Sequence, residues 1–103
     1  MFIARWRVDA RFGHKQKVID ALQRWAREVA PEAGLPASRG QILTGSIGAL
    51  EATVEHDWQV ESLAELEQVW AKLGKLDAHA KWGETLEPHI VSGTSRWEIY
   101  RVL

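Results

Sequence analysis

The chain has no cysteine. That excludes disulfide frameworks, thiol nucleophiles and thiolate metal sites. Asparagine is also absent. There is no run of about 18 apolar residues, so no membrane-spanning helix is expected. Neither sign of charge dominates: the net charge of −1 lacks the basic excess of a nucleic-acid-binding protein. The spacings HxH, HxxH and HExxH do not occur, and the four histidines fall on separate segments, so no metal is expected. No G-x-S-x-G is present, and "TGSIGA" has neither that spacing nor the GK[ST] of a phosphate loop. The opening "MFIARWRVD" is broken by Arg5, Arg7 and Asp9, which excludes a signal-peptide apolar region and makes a cytoplasmic location the expectation.

What is present is an ordinary globular composition, 46% hydrophobic and 26% charged, over 103 residues. This predicts one domain, residues 1–103, small enough that a second copy would help to cover its core. Six tryptophans stand out. Trp is a large amphipathic ring that favours cores, ligand walls and interfaces, and six are many for one small core to absorb.

The hydropathy pattern changes period several times. Phe2 to Ala10 alternates, with Phe2, Ala4, Trp6, Val8 and Ala10 on one face and Ile3, Arg5, Arg7 and Asp9 on the other, which predicts a strand ended by Gly13. From His14 to Ala30, Val18, Leu22, Trp25 and Val29 recur at helical spacing, and Pro31, Gly34 and Pro36 end that helix. A weaker strand is expected over Ser38–Ile47, turning at Gly48 into a third over Leu50–Val60. Ser62 and Glu65 have capping-box spacing at the start of a second helix, whose predicted buried stripe is Leu63, Leu66, Val69, Trp70 and Leu73. Gly74 interrupts it, a further helical piece runs from Leu76 to Leu86, and Ser95–Leu103 alternates as a last strand.

The order strand, helix, strand, strand, helix, strand is the split β-α-β pattern of an α+β, ferredoxin-like antiparallel sheet with its helices on one face. Strands one and three then lie in the middle. Their outer faces bring Arg5, Arg7 and Asp9 beside Glu51, Thr53, Glu55 and Asp57.

The stretches "GSIGALEATVEHDWQVESLAELEQVWAKL" and "WGETLEPHIVSGTSRWEIYRVL", with the terminal "RWEIYRV" strand, resemble the NIPSNAP-like proteins of the dimeric α/β-barrel superfamily. The resemblance covers most of the chain and implies a homodimer in which two open sheet faces press together as a barrel. Its members include small-molecule binders, cofactor-independent oxygenases, isomerases or cyclases, and haem-degrading enzymes. It therefore implies a small-molecule-binding protein of unassigned activity, acting on a polar or aromatic metabolite without a cofactor.

Two readings of the charged face stay open. It is either an ion-paired lining that specifies the dimer, or a polar pocket in which Arg7 holds an acidic or enolic substrate while Glu55 or Asp57 moves a proton. His79 is the candidate general base, in the region that in this superfamily roofs the barrel opening, or else an exposed helical histidine. Trp58 and Trp82 are the candidate ligand walls. His56 falls on the apolar side of its strand and reads as core, while His14 and His89 read as surface. The haem-degrading alternative would use Trp58 and His79, but it requires an asparagine on strand one, for which Arg7 or Asp9 would have to stand in. From another class comes a non-catalytic dimerisation module whose barrel is filled by its own side chains. An open cavity favours a binding protein; closure by Arg–Glu pairs favours the module.

Overall fold

In the computed structural model, which describes residues 1–103, the elements follow the expected order. They are β1 (Phe2–Asp9), α1 (Lys15–Glu28), β2 (Gly40–Thr44), β3 (Thr53–Val60), α2 (Leu63–Leu73), α3 (Asp77–Leu86) and β4 (Arg96–Arg101), with short 3₁₀ turns between several of them. The four strands form one antiparallel sheet in the order β2-β3-β1-β4. No helix is long and apolar enough to cross a membrane.

The register follows from side-chain alternation. Ala4 pairs with Trp58, Trp6 with His56 and Val8 with Val54, so that parity meets the helices. Arg5 pairs with Asp57 and Arg7 with Glu55, on the opposite face. β4 continues both sets, with Trp97 opposite Trp6 and Glu98 opposite Arg5.

Beneath the helices, Trp25, Val29, Trp58, Val60, Leu66, Val69 and Leu73 belong to one apolar cluster, and Val8, Val18, Leu22, Val54 and Leu86 to a second. Trp82 packs against both. Removing any of the large members would cost several kcal/mol, since a core truncation adds a cavity to the lost burial (roughly 2–5 kcal/mol).

Three local expectations are corrected. Strand three begins at Thr53, not Leu50: Gly45 to Ala52 forms a turn closed by the Thr53 N–H on the Leu50 carbonyl, and Leu50 is 71% exposed. The α2 stripe is narrower than its spacing suggests, with Leu66, Val69 and Leu73 buried but Leu63 exposed and Trp70 at the surface. The capping box is half made: Ser62 Oγ accepts from the Glu65 N–H, but the Glu65 carboxylate turns to Arg39 at 2.6 Å. A full charge on Arg39 outcompetes the neutral N–H that the box would have offered.

Candidate functional site

A cavity of about 480 Å³ lies between the helix-facing side of the sheet and the helices. All six tryptophans border it. The reason is parity and helical spacing together. Trp6, Trp58 and Trp97 share the inward face of β1, β3 and β4. Trp25 follows Leu22 on the buried stripe of α1, Trp70 sits on α2, and Trp82 lies one turn beyond His79 on α3.

Trp25 is the hub. Its ring centroid is 5.6 Å from Trp58, 5.8 Å from His56, 6.0 Å from Trp82 and 6.2 Å from His79, mostly edge to face. That is the favoured geometry for ring quadrupoles. His79 stacks on Trp82 with 17° between the planes. At the rim, Trp70 and Trp97 meet edge to face at 5.6 Å, and both are partly exposed.

Two imidazoles supply the cavity's polar character. Trp25 Nε1 donates to Nδ1 of His79 at 3.0 Å. Nδ1 is therefore the acceptor, and the proton of the neutral ring sits on Nε2. Burial holds the His79 pKa below its ordinary value. In this geometry the Nδ1 lone pair of His79 is taken up by Trp25, and Nε2 is the ring nitrogen left to present an N–H. His56 is 3% exposed, and burial pushes its pKa down to about 4 despite the opposing charge of Asp57. Its ring is held by Trp25 and Trp58.

The other face of the sheet carries a ladder of charges. Arg5 forks onto Asp57 through Nε–Oδ1 at 2.8 Å and Nη2–Oδ2 at 2.9 Å, with Glu55 at 3.2 Å. Its guanidinium also lies 5.3 Å from the Tyr100 ring centre. The Asp57 hydrogen bond, above all, raises the Arg5 pKa further from neutrality. Arg7 Nε stands 3.0 Å from both Glu55 and Glu98. Neither carboxylate is aligned for a hydrogen bond with it, so Arg7 Nε and Glu98 Oε1 stay buried without one.

The six residues singled out from the sequence therefore form two groups, not one. His79, Trp58 and Trp82 border the cavity. Arg7, Glu55 and Asp57 belong to the ladder on the far side of the sheet. His79 and Trp82 roof the helix side and not the charged face. The other four tryptophans at the cavity, Trp6, Trp25, Trp70 and Trp97, were not singled out from the sequence as site residues; His56, read as core, is buried as expected and also lines the wall. Strand parity placed Trp6, His56 and Trp58 on one side, and that was the available signal.

The haem-degrading set does not fit these residues. Arg7 and Asp9, the stand-ins on strand one, face away from His79 and Trp58; the β1 side chain at the cavity is Trp6. Nδ1 of His79 is occupied by Trp25, and its Nε2 carries the proton. No three His, Asp or Glu side chains converge in a way that could hold a metal ion.

No protein-family profile matches the chain, and no curated protein does. Solved structures do. A NIPSNAP-like domain protein from Burkholderia xenovorans superposes with TM-score 0.79 at 16% identity, over 99% of this chain and 84% of its own. The fold is that of the NIPSNAP-like proteins. A NIPSNAP family protein from Agrobacterium tumefaciens gives TM-score 0.78 at 20% identity, covering 99% of this chain and 85% of the other. A protein from Nitrosomonas europaea, provisionally described as an antibiotic biosynthesis monooxygenase, gives 0.69 at 11% identity over 100% and 99%. Similarity at these identities establishes the NIPSNAP-like fold; activity has to be argued from the site.

Proposed function

We propose that this protein binds a small, flat, mainly apolar molecule in the tryptophan cavity and works as a homodimer joined through the charged sheet face. The observation that carries the binding reading is the convergence of six indoles and two neutral imidazoles on one cavity. Such enclosure by apolar walls with few polar groups is what small-molecule sites have. The paired charges of Arg5, Arg7, Glu55 and Glu98, with side chains 20–30% exposed, support the second half, since an ion-paired face can be covered by a second copy without leaving a lone charge. Exposed Leu43, Tyr100 and Val102 offer apolar area on the same face. A cytoplasmic setting is part of the reading, in keeping with a cysteine-free chain.

The chemistry this cavity suits without a cofactor is proton transfer on, or oxygenation by dioxygen of, a flat aromatic substrate. Its proton would pass to the bare nitrogen of His56, the one free side-chain base on the wall. The rings would stack the substrate, and the His79 Nε2–H would steady an oxygen on which charge develops. The relative described as a monooxygenase lends that reading support. The Arg–Asp–Glu ladder favours a structural role for the charged face itself, as the lining of the dimer.

Titration with 1-naphthol, followed by tryptophan fluorescence, tests the binding half. Saturable quenching at one ligand per chain is expected; a linear, unsaturable response overturns it. A native mass spectrum tests the other half, with a dimer expected and a monomer against it.

A further inference from the structure

The polar groups around the cavity are almost all donors. Among its lining residues there is no carboxylate, amide, hydroxyl, lysine or arginine. Each indole offers one N–H and no acceptor. Three of the six are committed within the protein: Trp25 to His79, Trp82 to the Ala21 carbonyl at 2.7 Å, and Trp6 to Ser95 Oγ at 3.0 Å. Trp58, Trp70 and Trp97 have no acceptor in the protein. Trp58 matters most: the residue is 1% exposed, yet its N–H, which has no partner in the protein, is not sealed off, so the little surface the ring keeps includes that donor.

His79 adds its Nε2–H, since its other nitrogen accepts from Trp25. His56 brings one N–H and one bare nitrogen, the only side-chain acceptor on the wall that is not already taken. Such a wall is satisfied by a guest that supplies acceptors. The guest should also be uncharged. An anion would find no cation among the lining residues, and an unpaired charge in an apolar cavity is expensive.

We infer that the cavity selects flat, neutral molecules bearing carbonyl-type oxygens (ketones, quinones or lactones) over hydrocarbons and N–H-bearing molecules of the same shape. The inference rests on the cavity being a binding site, as proposed above, and names the class of ligand that site takes.

Three probes share one tricyclic frame and differ only at the bridging position: 9-fluorenone carries C=O, fluorene CH₂ and carbazole N–H. The readout is the set of six indole N–H resonances of isotope-labelled protein, one for each tryptophan. Fluorenone should bind about tenfold more tightly than fluorene, the worth of one well-made hydrogen bond, and carbazole no more tightly than fluorene. The Trp58 indole proton should move downfield with fluorenone alone, as it gains an acceptor. Trp58→Phe keeps a ring and removes the N–H, and should bring fluorenone down to the affinity of fluorene. If that variant does not fold, the Trp58 resonance of the unaltered protein gives the answer. Carbazole binding as tightly as fluorenone, or fluorenone binding without moving the Trp58 resonance, overturns the inference and leaves the cavity standing as a site. If none of the three moves any indole resonance, the binding reading falls and this inference falls with it.

Discussion

Trp25 on α1 and His79 on α3 are joined by one hydrogen bond, indole Nε1 to imidazole Nδ1 at 3.0 Å, that fixes which nitrogen of the histidine bears its proton. It ties two helices that are also joined by Trp82 Nε1 on the Ala21 carbonyl and by Arg24 on Thr85 Oγ1. The His79→Ala change strands the N–H of a tryptophan that is 5% exposed. It should cost about 1–2 kcal/mol, the penalty for a buried donor left without a partner. The check is the urea midpoint at unchanged slope. A loss under about 0.5 kcal/mol would show that water reaches Trp25.

His56 makes stability depend on pH. Its folded pKa of about 4 lies below the ordinary 6.5 because burial disfavours the charged ring. Between those values the unfolded chain takes a proton that the folded chain refuses. Stability is therefore full above pH 6.5 and falls with decreasing pH, by up to about 1.4 kcal/mol per unit, until the folded pKa is reached. Denaturant titrations at pH 7, 6 and 5 should show the loss. His56→Phe, which binds no proton, should give a shallower profile; an unchanged slope would assign the effect to other groups.

The two arginines of β1 should behave differently. Arg5→Ala leaves Asp57, itself 5% exposed, without its fork, and should cost about 2 kcal/mol of chain stability. That value lies between exposed pairs, which are worth under about 1 kcal/mol, and fully buried ones, which cost about 3–5 to break. Arg7→Ala leaves Glu55 to Arg5 alone and Glu98 to the longer contact with Arg96, weakening the charge balance of the face proposed to meet a second copy. Sedimentation should show a weakened dimer, while naphthol binding on the other side of the sheet persists. Loss of binding with the dimer intact would move the site to the charged face.

Gly40 is where β2 makes room for the cavity wall. A Cβ there would stand 2.7–2.9 Å from the six-membered ring of Trp58. The ring cannot swing aside without disturbing Trp25 and His56. Gly40→Ala should cost about 1–3 kcal/mol, as overpacking does, and weaken ligand binding with it. A variant of unchanged melting temperature would mean that the β2 edge yields instead.

Strand parity made most of the architecture legible. "RWRVD" against "TVEHD" already states which side chains share a face, and the sheet pairs Arg7 with Glu55 and Arg5 with Asp57 accordingly. The site was harder to see because it depends on where α3 lands. Its sequence, DAHAKWGETL, carries too few apolar residues to announce a buried side. Which way His79 and Trp82 point is set by the local turn at Gly74–Leu76 and by Trp82 reaching the Ala21 carbonyl, 61 residues away in the chain. The fate of Glu65 was hidden for the same reason: its partner Arg39 lies 26 residues earlier.

Trp6 sits between Arg5 and Arg7, so adjacent residues of one strand furnish the aromatic chamber and the ionic ladder. The two faces are interleaved like the teeth of a zip. A substitution in β1 or β3 alters one face and spares the other. A single inserted or deleted residue would exchange them, swinging arginines among the indoles and tryptophans among the carboxylates. An added residue would therefore be borne in a turn such as residues 45–52, whereas within β1 or β3 it would not.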